Sequence, residues 1–285
     1  MTHPQPRPRP STHGTVPSGA PASRWLLRRS VLPDPRLRLI CFPHAGGAAT
    51  LFHGWQDRVP PGVEVAAVCY PGRQNRLAEP PITAMDTLAD SVYEALTGWL
   101  DRPLALFGHS MGAAVAYEVA VRMAERARTT PAALLVSGHA APHLCAATGP
   151  PTAADDAEVT ALAMDADPVL RDSPELRELF LPALRADLTL LRAYRPARTP
   201  RIDAPIVGYR GAHDARVTAE DMRSWSATTT RDFRLRTLPG DHFYLMHEEA
   251  ELVADAVAAC RPPGGTPPYA STAPHPPDPA RRQRP

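Results

Sequence analysis

The chain has 285 residues, enough for one sizeable domain with its own core. Hydrophobic residues make up 44%, charged residues 21%, and the net charge is +1. These values exclude a wholly disordered chain and give no reason to expect nucleic acid or an anionic membrane as the main partner.

Every permanently basic side chain is Arg, because the sequence contains no Lys. That removes P-loop lysines, Schiff-base lysines and Ser-Lys dyads together. The Cys residues, Cys41, Cys69, Cys145 and Cys260, form no C-x-x-C pair, so neither a zinc site nor a redox motif is indicated. Cys41 and Cys69 lie in apolar runs and read as small buried hydrophobes. A reduced, cytoplasmic protein is expected. No apolar run approaches the roughly 20 residues of a membrane span. Arg28-Arg29 is followed by Pro33, Asp34, Arg36 and Arg38, and lacks the apolar stretch of an export signal. The tail histidines, His3, His13 and His275, show no metal-ligand spacing.

In chain order, residues 1–23 are rich in Pro, Arg, Ser and Thr without apolar periodicity, and 262–285 read the same way. Both are expected to be disordered tails around a folded body of 24–261. Leu37–Phe42 reads as a strand, His44–Gly47 as a turn, and a helix is expected to run through Trp55. Val63–Cys69 is the next strand, closed by Pro71-Gly72. Thr83 is expected to cap a helix whose face carries Met85, Leu88, Ala89, Val92, Leu96 and Trp99. Leu104–Phe107 is a short apolar strand, Ala113–Met123 a helix, and Ala132–Ser137 another strand.

The rhythm then changes. From 143 to about 200 no strand is expected; Ala153–Met164 and Pro174–Tyr194 read as helices, with Ser173 capping the second. Strands resume at Pro205–Tyr209 and Phe233–Leu238. Thr218 with Asp221 suits a capping box between them, and Leu252, Val253, Ala256 and Val257 line a last helix. Repeated strand–helix units predict an α/β fold: a mostly parallel sheet covered by helices on both faces. The stretch 143–200 is a helical insertion expected to lie over one end of it.

Gly108-His-Ser110-Met-Gly112 has the pattern G-x-S-x-G. A chain this long holds that pattern by chance about one time in ten, so its setting must carry the inference. Strand before and helix after is the setting of a nucleophile elbow, where a sharp bend lifts a Ser hydroxyl clear of the sheet. The helix that follows aims its free N–H groups and positive end at the hydroxyl.

In an open parallel sheet, reactive groups gather beyond the C-terminal strand ends. Asp214 follows one such strand and His242 the next. The order Ser110, Asp214, His242 is that of an α/β-hydrolase. In this reading His242 takes the Ser110 proton and Asp214 holds and stabilises the imidazole. The Met111 N–H is one oxyanion donor, and Ala45, in the turn after the first long strand, supplies the other. Asp203 precedes its strand, Asp241 adjoins His242, and Asp187 lies mid-helix, so these carboxylates fit less well. His44 and His139 also follow strands and stay open as alternative bases.

The motifs Cys41-Phe-Pro-His-Ala-Gly-Gly-Ala-Ala49, Tyr70-Pro-Gly-Arg73 with Arg76 and Glu79-Pro80, Phe107-Gly-His-Ser-Met-Gly112, Leu184-Arg-Ala-Asp187 and Gly240-Asp-His-Phe243 together resemble the type II thioesterases. The resemblance spans about 24–260. It implies hydrolysis of acyl thioesters from the phosphopantetheine arm of acyl or peptidyl carrier proteins, clearing stalled or wrongly primed groups in polyketide or non-ribosomal peptide assembly. It also implies no bound cofactor, a commonly monomeric state, and a lid formed by 143–200. Leu176, Leu179, Phe180, Leu184, Leu188 and Leu191 give the long lid helix an apolar stripe, and Leu184 and Leu188 are candidate acyl-chamber residues. Arg185 and Asp187 are expected to anchor the lid as ion pairs. One departure is His139, where the family often has Arg. Two other readings stay open: a general carboxylesterase or lipase, and a non-catalytic carrier-protein binder.

Overall fold

The computed structural model describes residues 24–145, 156–166 and 172–260. The expected tails lie outside these residues, as do 146–155 and 167–171 of the insertion.

The strands are β1 (Leu26–Leu27), β2 (Leu37–Phe42), β3 (Val63–Val68), β4 (Leu104–His109), β5 (Ala133–Ser137), β6 (Ile206–Gly211) and β7 (Phe233–Leu238). They form one seven-stranded sheet in the order β1-β3-β2-β4-β5-β6-β7. Every pairing is parallel except that of the edge strand β1, which runs antiparallel to β3. A two-residue strand carries no periodicity, so β1 left no signal in the sequence.

Alternate side chains of each central strand enter opposite layers. Leu104 and Leu106 of β4 join the core under α1 (Met85–Leu96) and α2 (Met111–Arg126). Ala105 and Phe107 face the other way, against Phe52 and Trp55 of a 3-10 helix, Ala49–Asp57, and Leu252 and Val253 of the C-terminal helix, Glu249–Ala259. Covering on both faces explains why these strands read as near-continuous apolar runs. Cys41, Cys69 and Cys260 are buried free thiols. Among the described residues, no helix is long and apolar enough to cross a membrane.

The start of α1 differs from expectation. Ala84, not Thr83, holds the N-cap position, and no side chain caps the helix. Arg122 of α2 donates to Asp86 Oδ1 at 2.9 Å in the first turn. That ion pair ties the first turn of α1 to α2 without accepting any of its free N–H groups.

The insertion after β5 holds α3 (Pro142–Cys145), α4 (Asp156–Ala166) and α5 (Pro174–Ala193). Ser173 accepts from the Leu176 N–H and caps α5, with Pro174 in its first turn. Val159 and Ala163 of α4 pack on Leu184 of α5 in a small core of their own. The far end of α5 is tied to the main body. Leu190 and Tyr194 join the α1–α2 core, and the Tyr194 hydroxyl donates to Glu118 Oε1 at 2.7 Å. After β6 comes a short helix, α6 (Ala219–Arg223), with the expected Thr218–Asp221 capping box. The C-terminal helix is α7.

Candidate active site

Ser110 sits between β4 and α2 with φ 53° and ψ −120°, a combination that a non-glycine residue adopts only under constraint. The constraint is visible on both sides. A Cβ on Gly108 would come within 2.1 Å of the Gly112 carbonyl oxygen, and one on Gly112 within 2.0 Å of the Phe42 carbonyl oxygen. Only glycine lets the chain double back this tightly. The Ser110 N–H donates to the Ser137 carbonyl at 2.7 Å, which holds the bend to the neighbouring strand β5. Met111 opens α2, so its N–H has no intrahelical acceptor.

Two loops beyond β6 and β7 meet beside the elbow. Ala212 N–H donates to the Leu238 carbonyl at 2.8 Å, and His213 N–H to the Gly240 carbonyl at 2.9 Å. This zipper brings Asp214 Oδ2 to 2.9 Å from His242 Nδ1. The other carboxylate oxygen accepts the N–H groups of Arg216, at 2.9 Å, and Val217, at 3.3 Å. Burial pushes the Asp214 carboxyl up, but the His242 bond and these two backbone donors outweigh it and hold the group below its ordinary value. Asp214 is thus ionised, fixed and aimed at one imidazole nitrogen.

A third element completes the rim. In the turn after β2, Gly47 N–H donates to the His44 carbonyl at 2.9 Å. The Gly46 N–H donates to Asp187 Oδ2 at 2.7 Å. No hydrogen bond from the Ala45 N–H is found among the described residues. Beside this turn opens a groove of about 530 Å³, walled by Gly46, Leu51, Leu176, Leu179, Phe180 and Ala183. Leu77, Leu176, Leu179 and Met246 along it are exposed, which is unusual for large apolar side chains. Leu184 and Leu188 are not part of this wall. Leu184 is buried against α4, and Leu188 packs on the same small core.

Residues 37–260 match the family model of the Thioesterase domain. The chain belongs to the thioesterase family. It is 33% identical over 235 residues to the gramicidin S biosynthesis protein GrsT of Aneurinibacillus migulanus, spanning 81% of this chain and 91% of GrsT. Among solved structures, it resembles the type II thioesterase BorB from the borrelidin biosynthetic cluster, at 37% identity and a TM-score of 0.77, over 85% of this chain and 100% of BorB. It also resembles YbtT, a type II thioesterase from the yersiniabactin NRPS/PKS pathway, at 28% identity and a TM-score of 0.73, over 86% of this chain and 100% of YbtT. The likeness to type II thioesterases read from the motifs holds, and with it the α/β-hydrolase fold.

In this thioesterase the competing groups are committed elsewhere. Asp203 pairs with Arg231 at the opposite end of β6. Asp241 is exposed and accepts from the Phe243 N–H at 2.8 Å. Asp187 forms a buried ion pair with Arg73. His139 Nδ1 donates to the Ala140 carbonyl at 2.7 Å. His44 has its Nδ1 buried without a partner among the described residues, and burial first, then the nearby charges of His242, Arg73 and Arg216, lowers its pKa to about 3. A histidine held neutral and lacking a carboxylate partner is poorly equipped to act as the base.

One arrangement was not visible in the sequence. His109, inside the elbow motif, shares a 2.9 Å hydrogen bond with the Ser137 hydroxyl, which in turn bonds the Tyr244 hydroxyl at 2.7 Å. The His109 ring lies 5.0 Å from the His242 ring, centroid to centroid. Burial is the main reason that its pKa lies well below the usual imidazole range. Ser137 and Tyr244 are 107 positions apart, and no spacing rule links them.

Proposed function

We propose that this thioesterase is a serine hydrolase that cleaves acyl thioesters from the phosphopantetheine arm of acyl or peptidyl carrier proteins. His242 takes the Ser110 proton as Ser110 Oγ bonds to the thioester carbonyl carbon. Asp214 stabilises the imidazolium that forms. The Met111 and Ala45 N–H groups receive the oxyanion. Collapse breaks the C–S bond, and the departing sulfur takes the proton from His242. Water then adds to the acyl-enzyme, giving its proton to His242. The C–Oγ bond breaks, Ser110 regains its proton, and the free acid leaves.

The observation that carries this reading is the 2.9 Å His242–Asp214 contact, with the His242 ring 5.0 Å from the ring of His109, the residue before the strained Ser110 of the elbow. A thiolate is a better leaving group than an alkoxide or amine, so modest activation of Ser110 suffices. The exposed apolar groove beside Gly46 suits the acyl chain, with Leu176, Leu179 and Phe180 contributed by the lid helix. The reaction calls for no resident cofactor, since the phosphopantetheine arrives with the substrate. The pathways named for GrsT and YbtT support a place in polyketide or non-ribosomal peptide biosynthesis, where its role would be removal of unproductive acyl groups.

Turnover of acyl-cysteamine and carrier-bound acyl thioesters tests the proposal. Ser110→Ala should abolish it, and a serine-directed phosphonate should label the wild-type chain at Ser110. Residual turnover by the Ala variant rejects the mechanism. A strong preference for oxygen esters would reassign the protein as a general esterase, and an unlabelled Ser110 would make it a binding protein.

A further inference from the structure

Asp187 lies on the lid helix α5, yet its carboxylate is buried against the turn that follows β2. It is 2% exposed. Oδ2 accepts the Gly46 N–H at 2.7 Å and Arg73 Nη1 at 2.8 Å, while Oδ1 accepts Arg73 Nη2 at 2.9 Å. Arg73 Nη1 also donates to the Gly47 carbonyl at 3.1 Å. The turn is therefore gripped at the Gly46 N–H by Asp187, at the Gly47 carbonyl by Arg73, and at the Gly47 N–H by the His44 carbonyl, 2.9 Å away. The ring of Phe180 and the Cβ of Leu184 lie over Gly46 as well.

We propose that Asp187 is a positioning residue for the oxyanion turn: by fixing the Gly46 N–H, it holds the peptide plane that follows Ala45, and with the His44 carbonyl–Gly47 N–H bond that holds the plane before it, aims the Ala45 N–H at the developing oxyanion. The inference rests on Ala45 serving as a donor, as proposed above. Its physical basis is selective satisfaction. Gly46 can reach φ 74°, so the turn has backbone freedom that something must remove. A charge-assisted bond from a bidentate ion pair removes it, since an ionised acceptor holds an N–H about twice as strongly as a neutral one. The Ala45 N–H remains uncommitted among the described residues. Because Asp187 belongs to the lid, seating of the lid helix and readiness of the oxyanion turn become one event. A lifted lid would part Arg73 from its carboxylate and release the Gly46 N–H in the same movement.

The test uses the full-length protein and two variants. Asp187→Asn keeps the side-chain shape but removes the charge. The double variant Arg73→Met with Asp187→Leu removes both charges and leaves no buried ion unpaired. Two inhibitors serve as probes: an acyl trifluoromethyl ketone, which forms a tetrahedral oxyanion on Ser110, and a non-hydrolysable acyl thioether, which does not. Asp187→Asn should lower kcat about ten- to a hundredfold with KM within about threefold. Its affinity for the ketone should fall in parallel, and that for the thioether should hold within about twofold. The double variant should regain thermal stability without regaining kcat. Recovery of kcat together with stability, or equal weakening of both inhibitors, overturns the proposal. If Asp187→Asn fails to fold, the double variant decides by the same two readings. Failure of the wild-type chain to form the ketone adduct would instead reject Ser110 as nucleophile, which keeps the two outcomes distinct.

Discussion

Asp214 Oδ2 lies 2.9 Å from His242 Nδ1, a contact between two loops that leave adjacent parallel strands, β6 and β7. The carboxylate has two further donors from its own loop, so it cannot swing away to another partner without losing them. An acid held this way presents one fixed face to the imidazole and selects its tautomer.

Replacing Asp214 by Asn keeps the loop shape but offers the imidazole the wrong hydrogen-bonding partner. Turnover of an acyl-cysteamine thioester should fall roughly a thousand- to ten-thousandfold. Circular dichroism should stay as in the wild type. A loss below tenfold would remove Asp214 from the mechanism.

The elbow glycines can be tested by a single methyl group. Gly112→Ala would press a Cβ to 2.0 Å from a backbone carbonyl in β2, which has no free rotation to yield. A loss of about 1–3 kcal/mol is expected, read as a fall in Tm, together with loss of activity as Ser110 shifts. Gly98→Ala is the control, because its Cβ would meet nothing within 4 Å. Equal Tm values for the two variants would contradict the steric account.

The buried histidines predict a specific acid sensitivity. His44 has its pKa lowered from 6.5 to about 3, chiefly by burial, so the unfolded chain binds more protons than the folded one across that interval. Its contribution is fully present above pH 6.5 and is lost as pH falls toward 3, by about 1.4 kcal/mol per pH unit within the window. His109 acts in the same direction. Urea denaturation at pH 7, 6 and 5 measures the slope. His44→Gln should flatten it by about one proton, and an unchanged slope would show that His44 is not held neutral.

The groove beside Gly46 predicts a chain-length effect. Leu179 on its wall is 54% exposed, so a larger ring there has room to form without crushing the core. Leu179→Trp should reduce kcat/KM for octanoyl-cysteamine about tenfold or more and leave acetyl-cysteamine within about threefold. Parallel losses for both substrates would locate the acyl chain elsewhere.

Local chemistry made much of this protein legible before any coordinates. Runs such as Leu104–Phe107, Gly on both sides of Ser110, and apolar residues at helical spacing define strands, an elbow and helices from neighbours alone. Ser173 and the Thr218–Asp221 box follow the same logic, since a cap bonds within its own first turn. The placement of Ser110, Asp214 and His242 after the ends of β4, β6 and β7 was readable too. What the tertiary structure alone decided depends on residues distant in the chain. Arg122 reaches Asp86 in the first turn of α1 from 36 positions away, and Asp187 grips Gly46 from 141 away. Leu184 packs on Val159 and Ala163 of α4 while its Cβ lies over Gly46, because a helix face shared by two neighbours cannot be divided between them by periodicity. Short-range sterics write secondary structure into the sequence, whereas the choice of partner for a buried charge or an apolar face is made only when the elements pack.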